Sequence, residues 1–466
     1  MLIEELIMMK SLRWLRCLAL PAHRSSLVWF VVVAFSAVPI TRSEIEAATS
    51  GCAHAQESSN PSVSMIVPGG EANKFWSRWR GPSGQGIVEG KGYPDTWSGT
   101  ENVIWKVEVP GRGHSSPIVW GNRIFLTTAS QDGSSRSILC YRRSDGELLW
   151  QTPLSQGTAE RLHGKNSYAS ATVSTDGRRV YAYFGNGGLL AVDFEGKVLW
   201  QVSFGEINLY HGPGGTPLLY KDRLIVLQEQ RSFSRSAPAD PGFVVAIDKE
   251  TGRELWRVNR SPRPGWGTPI AVQVGDRVEV IVSSSRRIDA FDPQTGDNLW
   301  FCSGNTSEVI PTPVVGHGLI YCSSGRRGPT IAVRPGGSGD VTSTHIAWKI
   351  PKDSPFVPSP LLLGDYLYTI NDMLSVVSCH HAKTGELIGQ LRLSRPSRES
   401  FSASPIAVGG KIFFTNDEGE TFVLNPAPDF KLLHINRFGE KTLASPALVD
   451  GRWYYRTEDH LICIGE

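Results

Sequence analysis

The stretch Ala246-Ile-Asp-Lys-Glu-Thr-Gly-Arg-Glu-Leu-Trp256 reads as the end of one strand, a tight turn and the start of the next. Ala246 is small enough to be buried. Asp248 can accept backbone N–H bonds from the turn that follows, and Gly252 supplies the positive φ that a short hairpin needs. Leu255 and Trp256 then reopen the apolar pattern. The string returns as Ala290 to Trp300, and more loosely as Cys140 to Trp150, Ala191 to Trp200, and Cys379 to Ile388. One copy would be an ordinary hairpin, whereas a series defines an architecture.

Trp105, Trp150, Trp200, Trp256, Trp300 and Trp348 recur at intervals of 44 to 56 residues. Each unit is opened by a second marker, a Ser or Thr followed by Pro, at Ser116, Thr216, Thr268, Thr312, Ser359, Ser404 and Ser445, with Ala171-Thr172 as the degenerate member. Eight markers at this period, with strands throughout, predict an all-β, eight-bladed β-propeller with four-stranded antiparallel blades. The strand around Trp105 has no marker before it, and the unit opened by Ser445 ends without its Trp strand. Pairing the N-terminal strand with the C-terminal unit therefore closes the ring and leaves no free edge at the seam.

The domain reading is 1–55 as a signal peptide or export segment, 56–74 as a flexible tether, and 75–466 as the propeller, with repeats over 100–466. Basic residues (Lys10, Arg13, Arg16, Arg24) precede a 14-residue apolar run, Leu27 to Ile40, which suits an export signal and is short for a membrane span. Location in the periplasm or cell envelope is expected, with a membrane tether through an uncleaved or lipidated N-terminus as an alternative fate of the segment. Phe75-Trp-Ser-Arg-Trp-Arg-Gly-Pro-Ser-Gly-Gln-Gly86 is expected to lay its rings across one end of the ring. Net charge is +2, which gives no electrostatic case for nucleic acid. The seven Cys residues contain no CxxC; Cys140, Cys379 and Cys463 fall on the small buried position held by Ala246 and are expected to act as small hydrophobes. His380-His381 is read as a solvated turn.

Marker, hairpin and Trp in fixed order over 100–466 resemble the PQQ-like β-propeller repeat family. The resemblance implies the fold. It leaves function open, because the family holds quinoprotein dehydrogenases as well as non-catalytic propellers, among them the lipoprotein that assists outer-membrane β-barrel assembly. A PQQ dehydrogenase needs a cation held by carboxylate and amide oxygens, and an Asp base. No such set can be assigned here, and Asp193, Asp248 and Asp292 are read as turn acceptors. No nucleophile elbow, Walker loop or zinc motif occurs either.

The expectation is thus an exported, non-catalytic scaffold that binds an envelope protein, a peptide segment or a small ligand. No catalytic residue, metal or cofactor is assigned. The alternatives are an oxidoreductase using PQQ with Ca²⁺, and a carbohydrate-recognition propeller. The candidate ligand site is the channel mouth, where the residues before the innermost strands differ around the ring. His114, Tyr168, Tyr210, His211 and Trp266 come from blades 1–4; Val309 to Pro311, Phe356 to Pro358, Phe401 and Leu443 come from blades 5–8. One half would be polar and aromatic, the other apolar.

Overall fold

The computed structural model describes residues 62–154, 157–209, 211–230, 241–261, 264–396 and 400–466. The export segment, the start of the tether, Tyr210 and most of the insertion between Gln228 and Phe243 lie outside them. Eight sheets follow one another along the chain, each built on a four-stranded antiparallel meander, and that of blade 4 gains one further strand at each edge. Blades 1 to 7 occupy 118–153, 174–202, 218–260, 270–303, 314–350, 361–392 and 406–437. Blade 8 takes its three inner strands from 447–464 and its outer strand from Val103–Glu108, which pairs antiparallel with His460–Ile464. The seam is closed by the two ends of the repeat region, as the surplus and missing strands require.

The repeat string has a physical reason at each position. Asp248 Oδ1 accepts the N–H groups of Glu250 (3.1 Å) and Thr251 (2.8 Å), closing the turn, and Gly252 has φ 73°. Ala246 lies directly across the ladder from Trp256, and Ala290, Ala191, Cys140 and Cys463 oppose Trp300, Trp200, Trp150 and Trp105. In all five pairs a register shift lies on the Trp strand, between the Trp and the residue two before it. A small residue is needed opposite the indole, and the three cysteines assigned to that position, Cys140, Cys379 and Cys463, are fully buried.

Each indole then reaches into the next blade. Trp105, Trp150, Trp200, Trp256 and Trp348 donate Nε1–H to hairpin carbonyls of the following blade, at 2.8–3.2 Å. The hairpin glycines Gly146, Gly196, Gly252, Gly296 and Gly385 lie beneath these rings, so closely that a Cβ would come within about 2.7–2.8 Å of ring carbon. The Thr-Gly of one blade is thus the seat for the Trp of the one before it.

Where the repeat drifts, the packing compensates. Blade 5 lacks the hairpin, so Trp300 is fully buried and donates to Glu279 Oε2 instead (2.8 Å). The glycine turn of blade 5 runs sideways: Gly339–Asp340 pairs parallel with Trp300 and Phe301 and covers the outer edge of blade 4. In blade 6 the Trp position is Gly389, opposite Cys379, and Phe430 of blade 7 lies over it. His380 departs from the solvated-turn expectation. It holds the buried position equivalent to Ile247, and burial pushes its imidazole down to about 4. Only His381, at the Asp248 position, faces the turn, where it contacts Thr384.

The stretch read as a flexible tether is partly docked. Val63–Met65 forms a strand beside Ile270–Val274 of blade 4, because Met65 buries its side chain in the core there. The aromatic Gly-rich segment then crosses the narrow end of the ring. Trp76 bridges Val119 of blade 1, Ser77 O accepts from Thr175 of blade 2, and Gln85 Oε1 accepts from Val315 of blade 5. The buried Arg80 guanidinium donates to Pro360 O of blade 6 (2.8 Å), and Gly86 and Val88 bond Ala407 of blade 7. Trp97 finally packs among Phe413, Phe438, Trp453 and Tyr455, just before the chain enters the seam strand.

Candidate functional site: a cavity at the open end of the ring

The Ser/Thr markers meet at the axis. Ser116 N–H donates to Thr172 Oγ1, Thr216 to Thr268, Thr268 to Thr312, Thr312 to Ser359, Ser359 to Ser404, Ser404 to Ser445, and Ser445 back to Ser116, all at 2.9–3.2 Å. Eight hydroxyl residues are joined by seven such links. Only the step from Thr172 to Thr216 lacks one, and there Ser174 Oγ donates to Pro217 O instead (2.7 Å). Sequence periodicity locates these residues; that seven of the hydroxyls, all but that of Thr216, cap a neighbour's backbone is a property of the closed ring. Seven of them, all but Ser359, line a cavity of about 220 Å³ in which Trp79, from the segment across the opposite end, also takes part.

The remaining walls are asymmetric. His114, His163, Lys165, Asn166, His211 and Trp266 come from the loops of blades 1–4. Ile310, Phe356, Val357, Leu443 and Ala444 come from blades 5–8. His211 sits between two rings, with centroids 5.0 Å from His163 and 5.3 Å from Trp266, and Trp266 Nε1 donates to Gly212 O (2.7 Å). Asn166 ties this wall together by donating to His211 O (2.6 Å). The imidazole of His114 is held down to about 3, first by burial and then by Arg456, Arg112 and Lys165, so it faces the cavity neutral.

Of the residues expected at the mouth, His114, His211 and Trp266 line the cavity together, while Tyr210 lies outside the described residues. Tyr168 does not line it. Its ring lies against Gly133 and under the Arg136 guanidinium (4.8 Å), which is itself locked in a buried ion pair with Glu160 (2.6 Å). Phe401 is likewise buried, against Phe422 in the core of blades 6 and 7. Four wall groups escaped the sequence reading: Trp79, His163, Lys165 and Asn166. The last three sit in the long connection from blade 1 to blade 2, where only the loop's length distinguished them. Trp79 belongs to the segment expected to lay its rings across one end of the ring, but Trp76 of that segment turns into the core while Trp79 reaches the axis.

Among the described residues, no Asp or Glu contributes to this cavity and its one amide is Asn166. A divalent cation positioned to polarise a quinone wants several carboxylate or amide oxygens, so this donor set does not fit PQQ with Ca²⁺. The fold and the channel geometry define an eight-bladed propeller with one end sealed and a hydroxyl-ringed cavity at the other. The sequence matches the family described as outer membrane protein assembly factor BamB over residues 96–208 and 135–374, more than half of the chain, and the protein belongs to that family. Among solved structures it is similar to BamB from Moraxella catarrhalis, with 16% identity, a TM-score of 0.55, and coverage of 78% of this chain and 97% of that one. It is also similar to quinohemoprotein alcohol dehydrogenase from Comamonas testosteroni (12%, TM-score 0.58, 85% and 81%) and to Saccharomyces cerevisiae Sqt1 (11%, 0.56, 78% and 99%). At these identities the structural likeness speaks for the fold alone. No match is found among curated protein sequences.

Proposed function

We propose that this protein is an exported, non-catalytic scaffold of the bacterial cell envelope that holds a segment of a partner protein in the cavity at the open end of the ring. Membership of the BamB-described family supports a scaffold role in the envelope. The observation that carries the binding reading is the divided wall: rings and amide on one side, Ile310, Phe356 and Leu443 on the other, around a ring of hydroxyls. Such a wall offers apolar contact with a few fixed polar groups, which suits a side chain entering from an exposed segment. A rigid ring carrying its recognition groups on loops is a common way of building a binding surface. The missing carboxylates weigh against quinone chemistry.

A photo-crosslinking amino acid at Ile310 or His163 in the intact envelope tests the reading. Adducts to an envelope protein at these positions, and none from an outer hairpin position such as Lys197, are expected. Adducts equal at all three positions would refute it, as would saturable binding of PQQ with Ca²⁺ at one per chain by calorimetry.

A further inference from the structure

A second cavity, of about 520 Å³, opens beside the first and shares His114, Lys165, Leu443 and Ala444 with it. One wall is Arg456, at the end of the strand Arg452–Arg456 of blade 8. This side chain is 1% exposed. Its Nη1 donates to Ser115 Oγ (2.8 Å) and Thr127 O (2.6 Å). Among the described residues, Nε and Nη2 have no acceptor and no carboxylate pairs with the guanidinium. Burial alone pulls its pKa down to about 10.

The two idle nitrogens form one edge of the guanidinium, the fork whose parallel N–H bonds match the two oxygens of a carboxylate or phosphate. A buried cation without a counter-charge and with one edge lacking acceptors is costly, and these atoms are shielded from bulk water, so hydration does not supply what is missing. Gly113 lies against the guanidinium so closely that a Cβ there would overlap it, and Gly113 lines the same cavity. The other charges reinforce the sign. Arg112 and Lys165 flank the site, and with Arg456 they add to the burial that holds His114 neutral. Four acids also line the cavity, but Asp417 is paired with Lys165 (2.6 Å), Glu420 with Arg437 (3.0 Å), and Glu418 and Glu458 are exposed.

We propose that the second cavity is an oxyanion-binding site in which the Nε–Nη2 edge of Arg456 takes a carboxylate or phosphate group, with further positive charge from Arg112 and from Lys165, whose charge is shared with Asp417. Its test needs no partner protein, so it stands or falls separately from the segment-binding reading. The full chain is heated in sodium phosphate, sodium acetate and sodium chloride at equal ionic strength and pH 7.

Phosphate or acetate should raise the unfolding temperature saturably, with a midpoint in the millimolar range, and chloride should not. Arg456→Gln should abolish the response and Arg112→Gln should at least halve it. If Arg456→Gln fails to fold, Arg112→Gln and Lys165→Gln carry the test. A response no greater than in chloride would overturn the proposal, and so would one undiminished in Arg112→Gln and Lys165→Gln. Given a response, acetylated triglycine with a free or an amidated C-terminus identifies the source. Preference for the free acid assigns a peptide carboxylate, whereas displacement of phosphate by neither assigns a small diffusing anion.

Discussion

Gly146 tests the inter-blade seat where it matters most, at the seam. It lies in the hairpin of blade 1, with φ 77°, beneath Trp105 of the strand that closes blade 8. A Cβ there would stand 2.8 Å from Trp105 Cε3 and 2.9 Å from Val107 Cγ1, while the indole Nε1 is anchored to Arg143 O (3.2 Å). Gly146→Ala therefore carries two costs. A left-handed backbone on a residue with a Cβ costs about 1–2 kcal/mol, and forcing the ring off its seat adds about 1–3 kcal/mol of overpacking. Gly121→Ala is the control, since Gly121 also has positive φ (57°) but nothing within 4 Å of its added Cβ. It should lose only the first term. The loss of chain entropy in the unfolded state is common to both substitutions and cancels. Urea unfolding followed by circular dichroism, with unchanged slope, should place Gly146→Ala about 1–3 kcal/mol below Gly121→Ala. Equal losses, or an excess that persists in a Trp105→Ala background, would mean that the Trp seat is not what locks the blades.

Three further outcomes follow from the same structure. Ser116→Ala removes the acceptor of the buried Ser445 N–H and should cost about 1–3 kcal/mol, whereas Ser116→Thr should cost much less; comparable losses in urea unfolding would dissociate the hydroxyl ring from stability. Glu160→Gln leaves the guanidinium of Arg136 buried without its counter-charge and should destabilise by about 3–5 kcal/mol, a range that calorimetry can check. His114 and His380 have folded-state pKa values of about 3 and about 4, below the ordinary value of 6.5. Below pH 6.5 the unfolded chain binds protons that the folded chain refuses, so stability falls as pH drops from 6.5 towards those values. His114→Gln with His380→Gln should flatten that slope; an unchanged slope between pH 4 and 6.5 would place the acid sensitivity elsewhere.

The architecture was legible in the sequence because every repeat position answers a local demand. Asp248 and Gly252 make their turn whatever surrounds them, Ala246 is small because Trp256 faces it two strand-ends away, and the surplus Trp105 strand announces its pairing with the unit after Ser445. Those constraints act over a few residues or recur at a fixed period, so a single chain displays them. What the periodicity does not carry is which side chain faces which once the ring is shut. Thr-Pro marks the axis, yet only closure brings the hydroxyl of Thr268 to the N–H of Thr216, and that of Ser116 to Ser445 across almost the whole chain. Tyr168 and His211 stand at equivalent places in sequence, but Arg136 draws the first outward while Trp266 and His163 hold the second on the cavity wall. Trp79 and Arg456 are ordinary residues in their own segments. The tertiary structure alone sets the former at the sealed end of the channel and leaves one edge of the latter buried without a partner, because both situations arise from atoms hundreds of residues apart in the chain.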